Sequence, residues 1–185
     1  MAVLRKQVPF AVVVKMFLTV SAAATLLAFL AGCGYHVAGY GSGKLLSGQK
    51  SVSVLLFANK TYRSNLEVIY SASLVDEFAR RSGGNVLSAD SADLHLSGIV
   101  KTYAVDPVSY TSTDAIKEYR IVIEVEETLR DRASQRVLWK GEVKDSQTYP
   151  ATTDLAQQQN SEDAAIKEIF RKLAQRTYQR INEDF

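Results

Sequence analysis

The sequence predicts an α+β fold: a two-layer sandwich in the order βαβββα, with a four-stranded mixed sheet and two helices on one face. Three observations predict it. Apolar residues alternate in three segments beyond residue 93, apolar stripes at helical spacing mark two others, and one of those helical segments separates the first two strands. The 185 residues, 46% hydrophobic and 23% charged, suffice for one domain with a real core.

The first strand is the β-rich run Ser51-Val-Ser-Val-Leu-Leu-Phe-Ala58, short enough to be buried on both sides. Ser64-Asn-Leu-Glu67 has the spacing of a capping box, and Leu66, Ile69, Tyr70, Leu74 and Phe78 follow on one helical stripe. Ser82-Gly83-Gly84 stops that helix. The second strand, Asp93–Tyr103, sets Leu94, Leu96, Gly98 and Val100 on one side. The third, Glu118–Leu129, does the same with Tyr119, Ile121, Ile123 and Val125, and the fourth, Arg136–Gln147, with Val137, Trp139 and Val143. Asp131–Gln135 is a connection short enough to make the last two strands a hairpin. Ser161-Glu-Asp caps a last helix whose Ile166, Ile169, Phe170, Leu173, Thr177 and Ile181 form one stripe. Residues 51–185 are thus read as the single folded domain.

With both helices on one face, the other face carries His95, Ser97, Ile99 and Lys101, then Arg120, Val122, Glu124 and Glu126, then Leu138, Lys140, Glu142 and Lys144. This face is mixed. It reads either as a solvated surface with β-branched filler or as one covered by a partner or an amphiphile. A helix between the first two strands makes them parallel, so Tyr62, Tyr103, Tyr110 and Tyr149 fall at the end where strands one, two and four finish. Tyrosines suit interfaces and membrane boundaries, being apolar in body and polar at the tip, although they are also common at strand ends.

The N-terminal segment has a different character. Met1–Lys15 carries Arg5, Lys6 and Lys15 with no acid, and Met16–Leu30 is apolar, the pattern of a secretory signal peptide. That run is shorter than the ~20 residues a spanning helix needs. Leu30-Ala31-Gly32-Cys33 comes next and resembles the bacterial lipobox, in which small residues admit the peptidase and the cysteine thiol accepts lipid. Residues 1–32 are therefore expected to be removed and Cys33 to be lipidated; an uncleaved signal anchor is the alternative. Cys33 is the single cysteine of the chain, so no disulfide framework claims it. Gly34 stands where an aspartate would resemble the inner-membrane retention signal, which favours the outer membrane. Residues 34–50 hold five glycines and read, with Cys33, as a lipidated tether.

Composition excludes one class of partner. The formal net charge is +2, but without Arg5, Lys6 and Lys15 the 22 basic residues fall to 19 against 20 acidic ones. Nucleic acid binding needs a clustered basic excess that such a chain lacks. Catalysis finds little support. His36 and His95 are too few for most metal centres, and no cofactor beyond the covalent lipid is expected. Asp93, His95 and Ser97 share a strand face without a recognised triad spacing. Glu124 and Glu126 stand roughly 6–7 Å apart by strand geometry, a separation glycosidases use, yet strand-surface glutamates are common. An enzyme should bring these residues into a concavity.

Three stretches resemble the family of lipopolysaccharide-assembly lipoproteins called LptE: Cys33-Gly-Tyr-His-Val37, Glu118-Tyr119 leading into an alternating strand, and Ala165-Ile-Lys-Glu-Ile-Phe-Arg-Lys-Leu173. The likeness spans nearly all of Cys33–Asn182 in element order. It implies two helices against a four-stranded sheet, in agreement with the pattern read above. It also implies a role as plug and folding partner of the large LptD β-barrel, delivering lipopolysaccharide at the outer membrane from the periplasmic side. One departure stands out. Where members of that family contact lipopolysaccharide through basic residues, this chain has Thr111 and Gln157. The cations left for lipopolysaccharide phosphates or a partner are Lys101, Arg120, Lys140 and Lys144, with Tyr103 and Tyr110 as further contacts; all could equally be solvated. A generic outer-membrane binding module serving another envelope complex would share the same lipobox and fold.

Overall fold

The structure, a computed structural model, describes residues 50–81 and 85–183. Cys33, the signal segment, His36, the tether before Lys50 and the Ser82-Gly83-Gly84 stop lie outside the described residues. Along the chain come β1 (Val52–Val54), β2 (Ala58–Asn59), α1 (Leu66–Arg81), β3 (Leu94–Tyr110), β4 (Ile116–Asp131), β5 (Val137–Pro150) and α2 (Leu155–Glu183). β1 and β2 both lie parallel to β3, and β3, β4 and β5 form an antiparallel meander, so the sheet is mixed.

The expected first strand is split. The Phe57 amide leaves the ladder and donates to Ser71 Oγ of α1 at 3.2 Å, while the Phe57 ring is buried edge-on to Tyr70. Beneath that ring is Gly98, where a Cβ would run into both the ring and the Glu126 carbonyl. The glycine of the inward-facing row is therefore a seat for Phe57.

β3, β4 and β5 all run past the ends the alternation marked. Ala104–Tyr110 and Ile116–Val122 pair as a hairpin closed by Thr111–Ala115, where the Thr111 amide donates to the Ala115 carbonyl at 2.8 Å and Asp114 takes φ 61°. The β4–β5 hairpin turns where expected, with Asp131 Oδ1 accepting from both the amide and the hydroxyl of Ser134. A register shift between Val100 and Thr102 leaves Lys101 as an extra residue in β3 and reverses the parity of the residues beyond it. Strict alternation would have put Tyr103 beside the lysines; instead it is buried on the helix side.

The last helix starts six residues before the expected Ser161 cap. Asp154 is its N-cap, its Oδ1 accepting the Gln157 amide at 3.0 Å. At the start of α1, Glu67 accepts from Asn59 Nδ2 at 2.9 Å instead of closing a box with Ser64, and Asn65 adopts φ 67°. Both helices lie on one face. Leu66, Tyr70, Leu74 and Phe78 of α1, and Ile166, Ile169, Phe170, Leu173 and Ile181 of α2, are essentially inaccessible over Leu94, Leu96, Val100, Ile121, Ile123, Val125 and Leu129 of the sheet. Each such side chain contributes roughly 1.5–3 kcal/mol on burial, which is what fastens the two layers.

Candidate functional site

The face away from the helices is a ladder of paired charges. Lys101 Nζ lies 3.0 Å from Glu142 Oε1 and 3.5 Å from Glu124 Oε1, and Lys144 Nζ approaches Glu124 Oε2 at 3.6 Å. Lys140 pairs with Glu126 at 3.1 Å. The hydrogen bond to Glu142 holds the Lys101 ammonium above its usual range. Three of the four expected cations are thus neutralised within the sheet. Arg120 is the exception. It is exposed, opposite Asp106 on β3 and Thr148 on β5, and among the described residues its side chain makes no hydrogen bond or ion pair.

The tyrosines separate into two groups. Tyr62 meets Tyr103 edge-on at 5.4 Å, and Tyr119 stacks on Tyr149 at 5.7 Å. The Tyr103 hydroxyl donates to Glu162 Oε1 of α2 at 2.7 Å, and Arg63 bridges Glu162 (3.4 Å) and Asp163 (2.7 Å). Burial and the Glu162 contact push the Tyr103 phenol well above its ordinary range. Tyr62, Arg63, Glu162 and Asp163 wall a cleft of about 570 Å³ between the β2–α1 loop and α2, floored by Tyr103 and Val105. Tyr110 is exposed near the hairpin tip, seven residues and about 23 Å along the strand from Tyr103. The six contact residues therefore do not converge: Lys101, Arg120, Lys140 and Lys144 share the open face, Tyr103 is behind it, and Tyr110 is remote.

Sequence reasoning missed a buried acid. Glu127 of β4 has no exposed surface, and it accepts from the Tyr70 hydroxyl at 2.5 Å and from Thr177 Oγ1 at 2.9 and 3.1 Å. One carboxyl thereby joins the sheet to α1 and α2. Burial raises its pKa to about 7, partly opposed by those hydrogen bonds and by Arg180. The Tyr70 phenol is likewise raised well above its normal value, by burial first and then by Glu127. The signal was present: Glu127 continues the inward register of Ile121, Ile123 and Val125.

The residues considered for catalysis have other occupations. Asp93 accepts the Ser51 amide and hydroxyl at 2.9 and 2.8 Å, and His95 Nε2 meets the Ala89 carbonyl at 2.8 Å. Glu124 and Glu126 hold lysines on a flat strand face. Neither the tyrosine-walled cleft nor the one lined by Ser73, Asp76 and Arg171 between the helices includes any of these four.

A helix pair laid on one face of a mixed open sheet, with charges paired on the other, defines a small α+β domain. The lipopolysaccharide-assembly family model, LptE, matches residues 49–181, and the chain belongs to that family. No curated relative matches it. Among solved structures, the fold is similar to a Caulobacter crescentus protein described as a lipoprotein (TM-score 0.57, 14% identity, 77% of this chain and 96% of that one). It is also similar to rare lipoprotein B of Shewanella oneidensis (TM-score 0.50, 17% identity, 71% and 95%). Lipoprotein B of Nitrosomonas europaea is a third (TM-score 0.51, 11% identity, 72% and 83%). No described helix is long and apolar enough to cross a membrane.

Proposed function

We propose that this chain is an outer-membrane lipoprotein, held at the periplasmic side by lipid on Cys33, that acts as plug and folding partner of an LptD-like β-barrel and aids lipopolysaccharide insertion. Family membership across residues 49–181 is the observation that carries the reading. Its work is binding, not catalysis. A signal segment ending in Leu30-Ala31-Gly32-Cys33 supports the anchor. Several acyl chains on one cysteine bind a membrane durably where a single chain binds marginally, so a triacylated Cys33 suffices.

The paired open face refines the lipopolysaccharide contact. A phosphate reaching Lys101, Lys140 or Lys144 must displace a glutamate already within 3.6 Å. Arg120 requires no such exchange and is the favoured cation. The test is purification of the full-length protein from native membranes in mild detergent, followed by mass spectrometry. A stoichiometric LptD-like barrel is the expected result; recovery with no barrel, when other envelope complexes survive, overturns the reading.

A further inference from the structure

β3 has neighbours on its outer side only as far as Val100, whose carbonyl accepts from the Lys60 amide at 3.0 Å. Past that point the chain turns away through Tyr62 into α1. Among the described residues, the backbone of Thr102–Tyr110 pairs with β4 on one side and with nothing on the other. The outer edge of β5 is treated differently. Arg176 and Arg180 of α2 reach over it and donate to the carbonyls of Lys144 (2.6 Å) and Glu142 (2.7 Å). Unpaired strand edges template further pairing, and charged side chains laid across them block it. Among the described residues, the β5 edge is covered at Glu142 and Lys144, and the outer edge of Thr102–Tyr110 is open.

The open stretch has a limit. Pro107 has no amide to give, and the register shifts on either side of Ser109 disturb the ladder, so regular pairing is confined to Thr102–Asp106. The helix-side residues of that stretch, Tyr103 and Val105, are the ones that floor the tyrosine-walled cleft. An added strand would therefore place alternate side chains beside a ready cavity. Arg63 and Lys167 in its wall are balanced by Glu162 and Asp163, and Ile69 and Ile166 supply apolar surface, so the cavity suits an uncharged side chain.

We propose that Thr102–Asp106 is a strand-addition site that takes an extended segment of the barrel partner, one of whose uncharged side chains enters the cleft between Tyr62 and Tyr103. Backbone donors and acceptors repeating at strand pitch match an extended polypeptide, whereas a lipid or free sugar offers no such repeat. This proposal rests on the barrel reading above.

The test uses the full-length lipoprotein in its native membranes, with a photo-crosslinking amino acid at Ala104, separately at Asp106, and at Thr148 on β5 as control. Crosslinked peptides are identified by mass spectrometry. The expected result is one barrel segment captured from both β3 positions, with the attachment point shifted by two residues between them, as strand pairing requires. Thr148 should not capture that segment. Crosslinks without this two-residue shift, or to a second copy of this chain, overturn the proposal while a co-purifying barrel leaves the functional reading intact. Absence of any barrel overturns both. Hydrogen exchange on the unsubstituted complex provides the second measurement: amides of Thr102–Asp106 should exchange more slowly than in the free protein, and unchanged exchange overturns the site.

Discussion

Glu127 makes the stability of this protein depend on pH in an unusual direction. Its carboxyl titrates near pH 7 in the fold against an ordinary value of 4.5. The folded state therefore binds the proton more tightly than the unfolded chain. The resulting stabilisation is complete below pH 4.5 and is lost as pH rises through 7. A shift of that size corresponds to about 3 kcal/mol. The group is entirely buried, so solvent screening removes little of it. In Glu127→Gln the amide oxygen can still accept from Tyr70 and the amide nitrogen can donate to Thr177, but nothing titrates. Urea denaturation of both proteins from pH 5 to pH 8 measures the effect. The variant should gain about 2.5 kcal/mol on the native protein across that range, since pH 5 already lies above the unfolded pKa, and become the more stable of the two at pH 8. Parallel stability curves would refute the reasoning, because they would mean that the carboxyl is ionised in the core at both pH values.

Three further expectations come from the same packing. Trp139 is the chain's single tryptophan, and a Cβ at Gly141 would run into its ring. Gly141→Ala should move that ring, shift its fluorescence emission and cost roughly 1–3 kcal/mol in thermal or urea unfolding. Asp154→Ala removes the N-cap of α2 and should cost ~1 kcal/mol, with helix loss by circular dichroism confined to the first turns. Removing Arg176 and Arg180 together uncovers the β5 carbonyls of Lys144 and Glu142. Light scattering should then show association that grows with concentration, where the native chain shows less.

The parts of the fold legible in sequence were those in which burial imposes a rhythm. Ile121, Ile123 and Val125 alternate because one face of β4 meets both helices, and the stripe from Ile166 to Ile181 repeats because α2 rests on the sheet. Where pairing alone holds a segment, no rhythm appears. Asp106, Pro107 and Ser109 lie in β3 only because β4 continues beside them. Leu155–Asn160 begin α2 with no apolar stripe, since the first turns there are largely exposed. The bulge at Lys101 left no mark either, and it alone decides that Tyr103 faces Glu162 and not the lysines. The charge ladder was half legible. Alternation gave its face, but whether Lys101 meets Glu124 and Glu142 depends on the register of three strands at once.

That ladder sets the order in which the open-face cations should matter for lipopolysaccharide. Lys101, Lys140 and Lys144 each begin from an existing carboxylate contact, so a phosphate gains only the difference between two exposed ion pairs, and exposed pairs are weak. Arg120 begins without a partner and offers a planar fork suited to phosphate oxygens. Its one acidic neighbour across the strands is Asp106. Removing Arg120 should therefore weaken binding more than removing any single lysine of the ladder, and Asp106→Asn should strengthen it. Titration of purified protein with lipopolysaccharide at low and high salt tests this directly. Salt should weaken the native protein more than Arg120→Ala, since the lost contact is the one that salt screens. If Lys144→Ala weakens binding as much as Arg120→Ala, then the ladder opens to ligand and the ranking by free charge is wrong.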